Sequence, residues 1–507
     1  MQIDIYSHGF VVSQLDGRTL PSVKTLLRLL GQPEFRPSGG GRYERFIART
    51  FAGGVADRTQ FTFHIGLLDR LMALLAEYSP GLVPHIVRHD APKGTLVEFV
   101  LKDTRPPRPY QVPAIEYCVG PGSTKLVTLG PGRGKTFVLI RSLVLRGKRV
   151  AFVIKPQYIP KWIDDFEEAT GLSKEEVLVV EGSKNLATLM QLGEMDQIKA
   201  KVILISNATY RNYLGTYEQL GSAYLHTAGF SVTPYDFFET IGVDTLAIDE
   251  IHQDFHFNFR LIIYSNVDAI WTLSGTFDPD DEFKKKMGWL LFPPDLRFVE
   301  DKPPPYIHAK ALRYQFRKPE SMKWSHRGRS EYSHTALEKC IMKNKTTLKA
   351  YLDMISTIVK SEYIHNHVHG YPMLIFAASK KMCTAIRDRL ASDYPDVSVV
   401  RYNSGVDPFE NLQSGGIIVS TKNSCGTAQD IKRLTHTLMT DSINDTQANL
   451  QLLKRLRQPA EGEDYTPEFL YLMCQDINQH VSYHEKKVKI FNGEVASHQL
   501  LVTDFLI

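Results

Sequence analysis

An alternation constrains this chain more than any other feature. From about residue 105 to 300, short apolar β-rich runs ("KLVTLG", "RVAFVIK", "KVILISN", "VDTLAIDE", "AIWTLSGTF") alternate with stretches of helical periodicity. The runs lack the polar residue at every second position that marks a half-exposed strand. Such continuity suits strands buried on both faces, as in a parallel sheet covered by helices. From about residue 346 the same rhythm resumes: a helix around "LKAYLDMISTIVKSEY", then "PMLIFAAS", "VSVVRYN", "GGIIVST", "LTHTLMT" and "PEFLYLM". The expected fold class is α/β, with two tandem parallel-sheet domains at 101–305 and 346–507.

Two segments fall outside that rhythm. Residues 306–345 follow three prolines and carry a basic run, and are expected to form a linker or insertion. There Lys310, Arg313, Arg317, Lys318, Lys323, Arg327 and Arg329 have Tyr314, Phe316 and Trp324 interleaved. That pattern fits a surface that grips and stacks on a nucleic-acid strand. It fits a solvated charged linker equally well. Residues 1–100 are expected to form a small α+β domain, a candidate for binding DNA. Leu67, Leu68, Leu71, Leu74 and Leu75 fall at helical spacing, and Pro80–Gly81 stops the helix. "IDIYSHGFVV" and "GTLVEFVLKD" are strand candidates on either side of it. "RPSGGGRYERFIART" places Arg42, Arg45 and Arg49 beside a Gly39–Gly41 hinge, where they could reach phosphates.

Bulk composition excludes several classes. The formal net charge of +4 on 507 residues does not announce nucleic-acid binding, so any such role rests on local basic surface. Five scattered cysteines without a CxxC pair argue against a zinc ribbon or a disulfide framework and for a reducing compartment. No signal peptide and no uncharged apolar stretch of membrane-spanning length is evident. A soluble, intracellular and monomeric chain is expected.

The chemistry begins at "LVTLGPGRGKTFVLI". A phosphate loop needs glycines that let the backbone wrap the phosphates, inward N–H groups at a helix N-terminus, a lysine, and a Ser or Thr for Mg2+. Gly130, Gly132 and Gly134 surround Pro131 and Arg133, and Lys135 and Thr136 follow. A strand precedes and a helix follows, as required. The general pattern has glycine where this chain has Leu129. Further on, the run "VDTLAIDE" ends in Asp249 and Glu250. Acids at the end of a buried parallel strand sit at the carboxyl edge of the sheet, where ligands bind. Asp249 can hold Mg2+ and Glu250 can orient the attacking water. Alone, such a pair is equally a surface feature; a few βα units after a phosphate loop it is far more telling. "WTLSGTF" then brings Ser274 and Thr276 to the end of another strand.

In order, "RPYQVPAI", "LGPGRGKT", "VIKPQYIPKWIDDF", "ILISNATYRN", "DEIH", "LSGTF", "MLIFAASKKMCTAI", "IIVSTKNSCGTAQDIKRL" and "QLLKRLRQ" resemble the motifs of superfamily 2 helicases. The details look most like phage recombination and branch-migration helicases of the UvsW type. The resemblance covers roughly residues 105 to 480 and implies two RecA-like domains with ATP bound between them. It implies that Gln111 reads adenine with Tyr110 and Arg108 beside it, and that Gly132, Arg133, Gly134, Lys135 and Thr136 hold phosphates. Thr136 and Asp249 would hold Mg2+, Glu250 would activate water, and Asp430 would contact the ribose. His252, Ser274 and Thr276 would couple hydrolysis to movement. Arg455 fits the arginine-finger position and Arg457 stands one residue early; the family's intervening glycine is Lys454 here, its second arginine is Gln458, and Ala428 replaces another expected glycine. Lys155, Gln157, Thr209, Tyr210, Ser379, Lys380 and Thr421 would contact nucleic acid, through phosphates and so without sequence preference. The implied activity is an ATP-dependent DNA helicase acting on forked or branched DNA. A duplex translocase, an RNA helicase or a nucleotide-gated binding subunit with weak hydrolysis remain open.

Overall fold

The computed structural model describes every residue except 39–41, 131–132, 276, 278–280, 301–304, 326–330, 367–369, 404–405, 414–415, 426–430, 432 and 460–464. At 33–38, 42–49, 223–224, 366, 409 and 447 it describes the backbone alone. The chain divides into two compact units, Met1–Asp301 and Lys302–Ile507.

In the first unit seven parallel strands form one sheet. Their order is Val177–Val180, Val202–Ser206, Val150–Ile154, Thr245–Ile248, Ala269–Ser274, Thr124–Thr128, Arg297–Val299. The strands Val150–Ile154 and Ala269–Ser274 are buried at every position, which is why the sequence shows unbroken apolar runs there. Parallel strands bring all carboxyl ends to one edge. The amino edge is closed by structural charge: buried Asp244, just ahead of Thr245–Ile248, pairs with Arg146 at 2.9 Å and Lys148 at 2.7 Å. Lys125, also buried, donates to the carbonyls of Tyr117 (2.7 Å) and Cys118 (2.8 Å) at the end of helix Val112–Val119. Those carbonyls would otherwise lack partners, and so would the ammonium.

The second unit repeats the architecture. Its seven parallel strands run in the order Val399–Tyr402, Ile417–Thr421, Met373–Ala377, His436–Met439, Glu468–Cys474, His308–Gln315, Ser497–Leu506. Here the expectation of a linker at 306–345 needs correction. His308–Gln315 is a strand inside the sheet, and His334–Lys343 is a helix. One of the basic residues that suggested a linker, and two of the aromatics, are accounted for locally. Lys310 pairs with Glu362 at 2.8 Å and Glu468 at 2.6 Å, and Tyr314 and Phe316 are buried in the core. Neither aromatic ring is available to stack on a base.

Ahead of the first seven-stranded sheet lies a mixed five-stranded sheet ordered Gly53–Gly54, Phe61–His64, Gly9–Ser13, Gln2–Ile5, His85–Arg88, with only the last pairing parallel. The leucine pattern forms helix Leu68–Tyr78 as expected. "GTLVEFVLKD" forms no strand; Thr95 and Val97 instead donate backbone N–H groups to the carbonyls of Gly242 (2.8 Å) and Gly147 (3.0 Å), in loops of the seven-stranded-sheet domain. The small sheet shares one apolar core with the seven-stranded sheet across helix Phe255–Tyr264. Phe51 packs on Phe259 with ring centroids 5.0 Å apart, and Tyr264 accepts the Gly54 N–H at 2.8 Å. Gly9 lies so close to the Ile263 carbonyl that any Cβ would collide with it. A separate two-stranded ribbon, Gly31–Ser38 with Arg42–Thr50, extends from this module and carries Arg42, Arg45 and Arg49.

Candidate nucleotide site and nucleic-acid contacts

Strand Thr124–Thr128 runs through the buried Leu129 into the glycine loop, and helix Lys135–Arg146 begins directly after it. Lys135 and Thr136 therefore occupy the first helical turn, where backbone N–H groups have no intrahelical partner and an anion is favoured. Gly134 has φ +82°, a left-handed conformation suited to glycine. A Cβ on Gly134 would also strike the Gln111 side-chain amide. That amide is fastened to the loop: Nε2 donates to the Arg133 carbonyl at 2.9 Å, and Oε1 accepts the Arg108 N–H at 2.9 Å. The Arg133 guanidinium lies 3.5 Å from the Tyr110 ring centroid and donates to Glu300 at 2.6 Å, while Arg108 donates to the Tyr110 hydroxyl at 2.9 Å. Gly132 lies outside the described residues.

The acidic pair sits two strands away on the same edge. Glu250 adopts φ +49°, a sparsely populated conformation for a residue with a side chain, and one found at functional sites. Its carboxylate lies 3.6 Å from the Lys135 ammonium. Both oxygens of Asp249 are engaged, Oδ1 by the Glu250 N–H at 2.9 Å and Oδ2 by the Trp162 indole N–H at 3.2 Å. Burial and the neighbouring Glu250 charge push the Asp249 carboxyl above its ordinary range, while Lys135 and Lys161 pull it down. His252 Nδ1 stands 2.9 Å from Ser274 Oγ and 3.3 Å from Glu250 Oε2. Burial holds its pKa down to about 4, so the imidazole is neutral and links the two strand ends without adding charge. Thr276 is outside the described residues.

The donor set fits Mg2+. Thr136 offers a hydroxyl and Asp249 a carboxylate, hard oxygens suited to that ion. Among the described residues no cluster of three or more His, Cys, Asp or Glu could cage a metal. A metal here would take its remaining ligands from phosphate and water, the usual habit of Mg2+. Three neighbours of the site escaped the sequence reading. Trp162 and Lys161 come from helix Ile159–Thr170, and Lys161 Nζ reaches within 3.4 Å of Thr136 Oγ1. Glu300, which holds Arg133, follows the short strand Arg297–Val299. Only the packing of these elements against the loop brings them in.

The expected nucleic-acid residues divide. Tyr210 is withdrawn: its side chain is fully buried and packs against Tyr213, Phe237 and Phe238, so it cannot meet a strand. Thr209 is buried, its hydroxyl accepting the Gly182 N–H at 2.7 Å. Lys155 and exposed Gln157 follow strand Val150–Ile154, and Lys155 stands 3.6 Å from Asp254. In the second unit Ser379 caps helix Lys380–Asp393 by accepting the Met382 N–H at 3.2 Å, and Lys380 is exposed. Thr421 ends strand Ile417–Thr421 and donates to Ser424 at 2.9 Å. Arg455 and Arg457 lie just beyond helix Thr446–Leu453. Arg455 Nη1 is 4.0 Å from the Cys425 sulfur, and Lys454 pairs with Glu494 at 3.1 Å. Asp430 lies outside the described residues.

No family model matches the sequence, and no curated protein does. Solved structures do. S. cerevisiae Dbp5 bound to RNA and ADP BeF3 superposes with a TM-score of 0.50 at 11% identity, over 79% of this chain and 91% of that one. At 11% identity that likeness shows a shared fold alone. The Pyrococcus furiosus Hef helicase domain gives a TM-score of 0.46 at 12% identity, covering 77% of this chain and 100% of that chain. T4 UvsW gives 0.33 at 12% identity over 100% of both chains. At these TM-scores, neither adds to the argument. Among the described residues no helix is long and apolar enough to cross a membrane.

Proposed function

We propose that the chain is an ATP-driven nucleic-acid motor, a DNA helicase that unwinds or branch-migrates forked or branched duplexes, as UvsW-type enzymes do. One observation carries this reading: Lys135 and Glu250, which follow different strands, meet at 3.6 Å on the carboxyl edge of a parallel sheet, with Thr136 and Asp249 beside them. Lys135 and the first-turn N–H groups would bind phosphates, and Thr136 and Asp249 would hold Mg2+, which neutralises charge developing on the phosphates. Glu250 would orient and deprotonate water, and the neutral His252 would relay its position to Ser274. Arg455 is the candidate arginine finger. Intracellular action, in a bacterial host if the gene is phage-borne, belongs to the same reading.

Lys135→Ala tests it. Loss of the ammonium should lower ATP turnover by about a hundredfold or more while leaving the fold intact. Near-parental turnover would remove the phosphate-loop assignment. A second reading, a nucleotide-gated binding subunit with weak hydrolysis, is favoured by one observation. Lys454, where the family has glycine, is committed to Glu494. Turnover that nucleic acid fails to stimulate in the parent protein would select that reading.

A further inference from the structure

Lys161 has no part in the phosphate loop, yet it stands at the metal position. Its ammonium is 3.4 Å from Thr136 Oγ1 and 3.1 Å from Asp165 Oδ2, four residues along the same helix. The next residue, Trp162, is fully buried and donates its indole N–H to Asp249. One helical turn thus presents a cation to the Thr136 hydroxyl and a hydrogen bond to the Asp249 carboxylate. Lys135 stands on the other side with Glu250.

Two cations cannot share so small a space. An ammonium within hydrogen-bonding reach of Thr136 Oγ1 and a divalent ion on that oxygen would repel strongly, because the site is partly shielded from water. The Lys161 side chain is 48% exposed, so it can swing. Asp165, already in contact with it, offers the ammonium a resting place one turn away.

We propose that Lys161 is a resident counter-cation of the metal position: it holds the Thr136 hydroxyl until Mg2+ arrives with the nucleotide and displaces it toward Asp165. The inference rests on Thr136 and Asp249 being the metal ligands. Its consequence is an order of events. Free divalent metal is kept from the acidic site, and the metal enters as a nucleotide complex whose phosphates also engage Lys135.

The test uses the full chain and Mn2+ alone, with free Mn2+ counted by its electron paramagnetic resonance signal. Lys161→Ala should bind Mn2+ about fivefold or more tightly than the parent without nucleotide, and Lys161→Arg, which keeps the charge, should match the parent. Asp249→Asn should abolish the binding in either background. A Lys161→Ala affinity no higher than the parent's, including no binding by either protein, overturns the proposal. If Lys161→Ala instead weakens nucleotide binding in EDTA and leaves Mn2+ unchanged, Lys161 is a phosphate ligand and the proposal also falls. Mn2+ binding that survives Asp249→Asn would break the underlying metal assignment, a separate failure.

Discussion

At the scale of single residues, the site separates holding from chemistry. Lys135 is placed by a helix N-terminus, whereas Glu250 is placed by a left-handed backbone and by two partners, Lys135 and His252. Glu250→Gln keeps size and hydrogen bonding but removes the carboxylate proposed to act on water. Nucleotide binding should persist while hydrolysis falls by about two to four powers of ten. Fluorescent-nucleotide titration alongside phosphate release measures both, and normal turnover would exclude Glu250 as the activating group. Residue types and order singled out Lys135, Thr136, Asp249, Glu250 and His252 in advance, and the fold brings Lys135, Glu250 and His252 together. Tyr210 misled because a tyrosine one helical turn past a strand end looks the same in sequence whether it faces solvent or core. Its fully buried ring chose the core.

At the scale of elements, the ribbon Gly31–Ser38 with Arg42–Thr50 forms its own two-stranded sheet among the described residues, outside both seven-stranded sheets and the five-stranded sheet. Its three arginines make it a candidate for phosphate contact. Replacing Arg42, Arg45 and Arg49 together by Ala should leave basal ATP turnover unchanged. It should weaken binding to forked DNA and flatten the salt dependence of that binding by roughly one unit of slope for each lost phosphate contact. Unchanged binding across salt would show that the ribbon does not touch the backbone. Three strands missed in the sequence also belong to this scale. Arg297–Val299 and Ser497–Leu506 are edge strands, and His308–Gln315 alternates half-buried with buried positions. None has the unbroken apolar run of a strand buried on both faces.

For the whole molecule, the decisive feature is that the N-terminal module and the first seven-stranded sheet fold around one core. Deleting residues 1–100 should therefore expose the apolar face of helix Phe255–Tyr264, three residues past His252, and give an insoluble or molten chain. A soluble, cooperatively melting truncation that still hydrolyses ATP would refute this. His8 joins the two parts, its Nδ1 2.9 Å from Thr124 Oγ1 and its Nε2 3.0 Å from the Val267 carbonyl. Because a carbonyl only accepts, Nε2 carries the proton and Nδ1 accepts from the threonine. Burial pushes the His8 pKa down to about 4, against about 6.5 for a free imidazole. The unfolded chain thus binds a proton that the folded chain refuses. The stabilisation is complete above pH ~6.5 and is lost progressively as pH falls toward ~4. His8→Asn, which cannot titrate, should flatten the acid-side fall in melting temperature, by about 5 °C across that window. An unaltered slope in calorimetry would place the acid sensitivity elsewhere.

The sequence alone determined the doubled α/β architecture, because strands buried on both faces must be apolar along their length and crossover helices must separate them. It also marked the candidate phosphate loop and acidic pair, because close wrapping of phosphate needs glycine and water activation needs a carboxylate. Only the tertiary structure decided what surrounds them. Trp162 and Lys161 reach Asp249 and Thr136 through the docking of a helix whose own sequence names no target. Lys310 and Tyr314 turned from a supposed linker into a sheet strand because Glu362 and Glu468 neutralise the lysine and the core takes the ring. Local sequence fixes what a residue can do; which partner it meets depends on contacts between segments far apart in the chain, and those exist only once the core has closed.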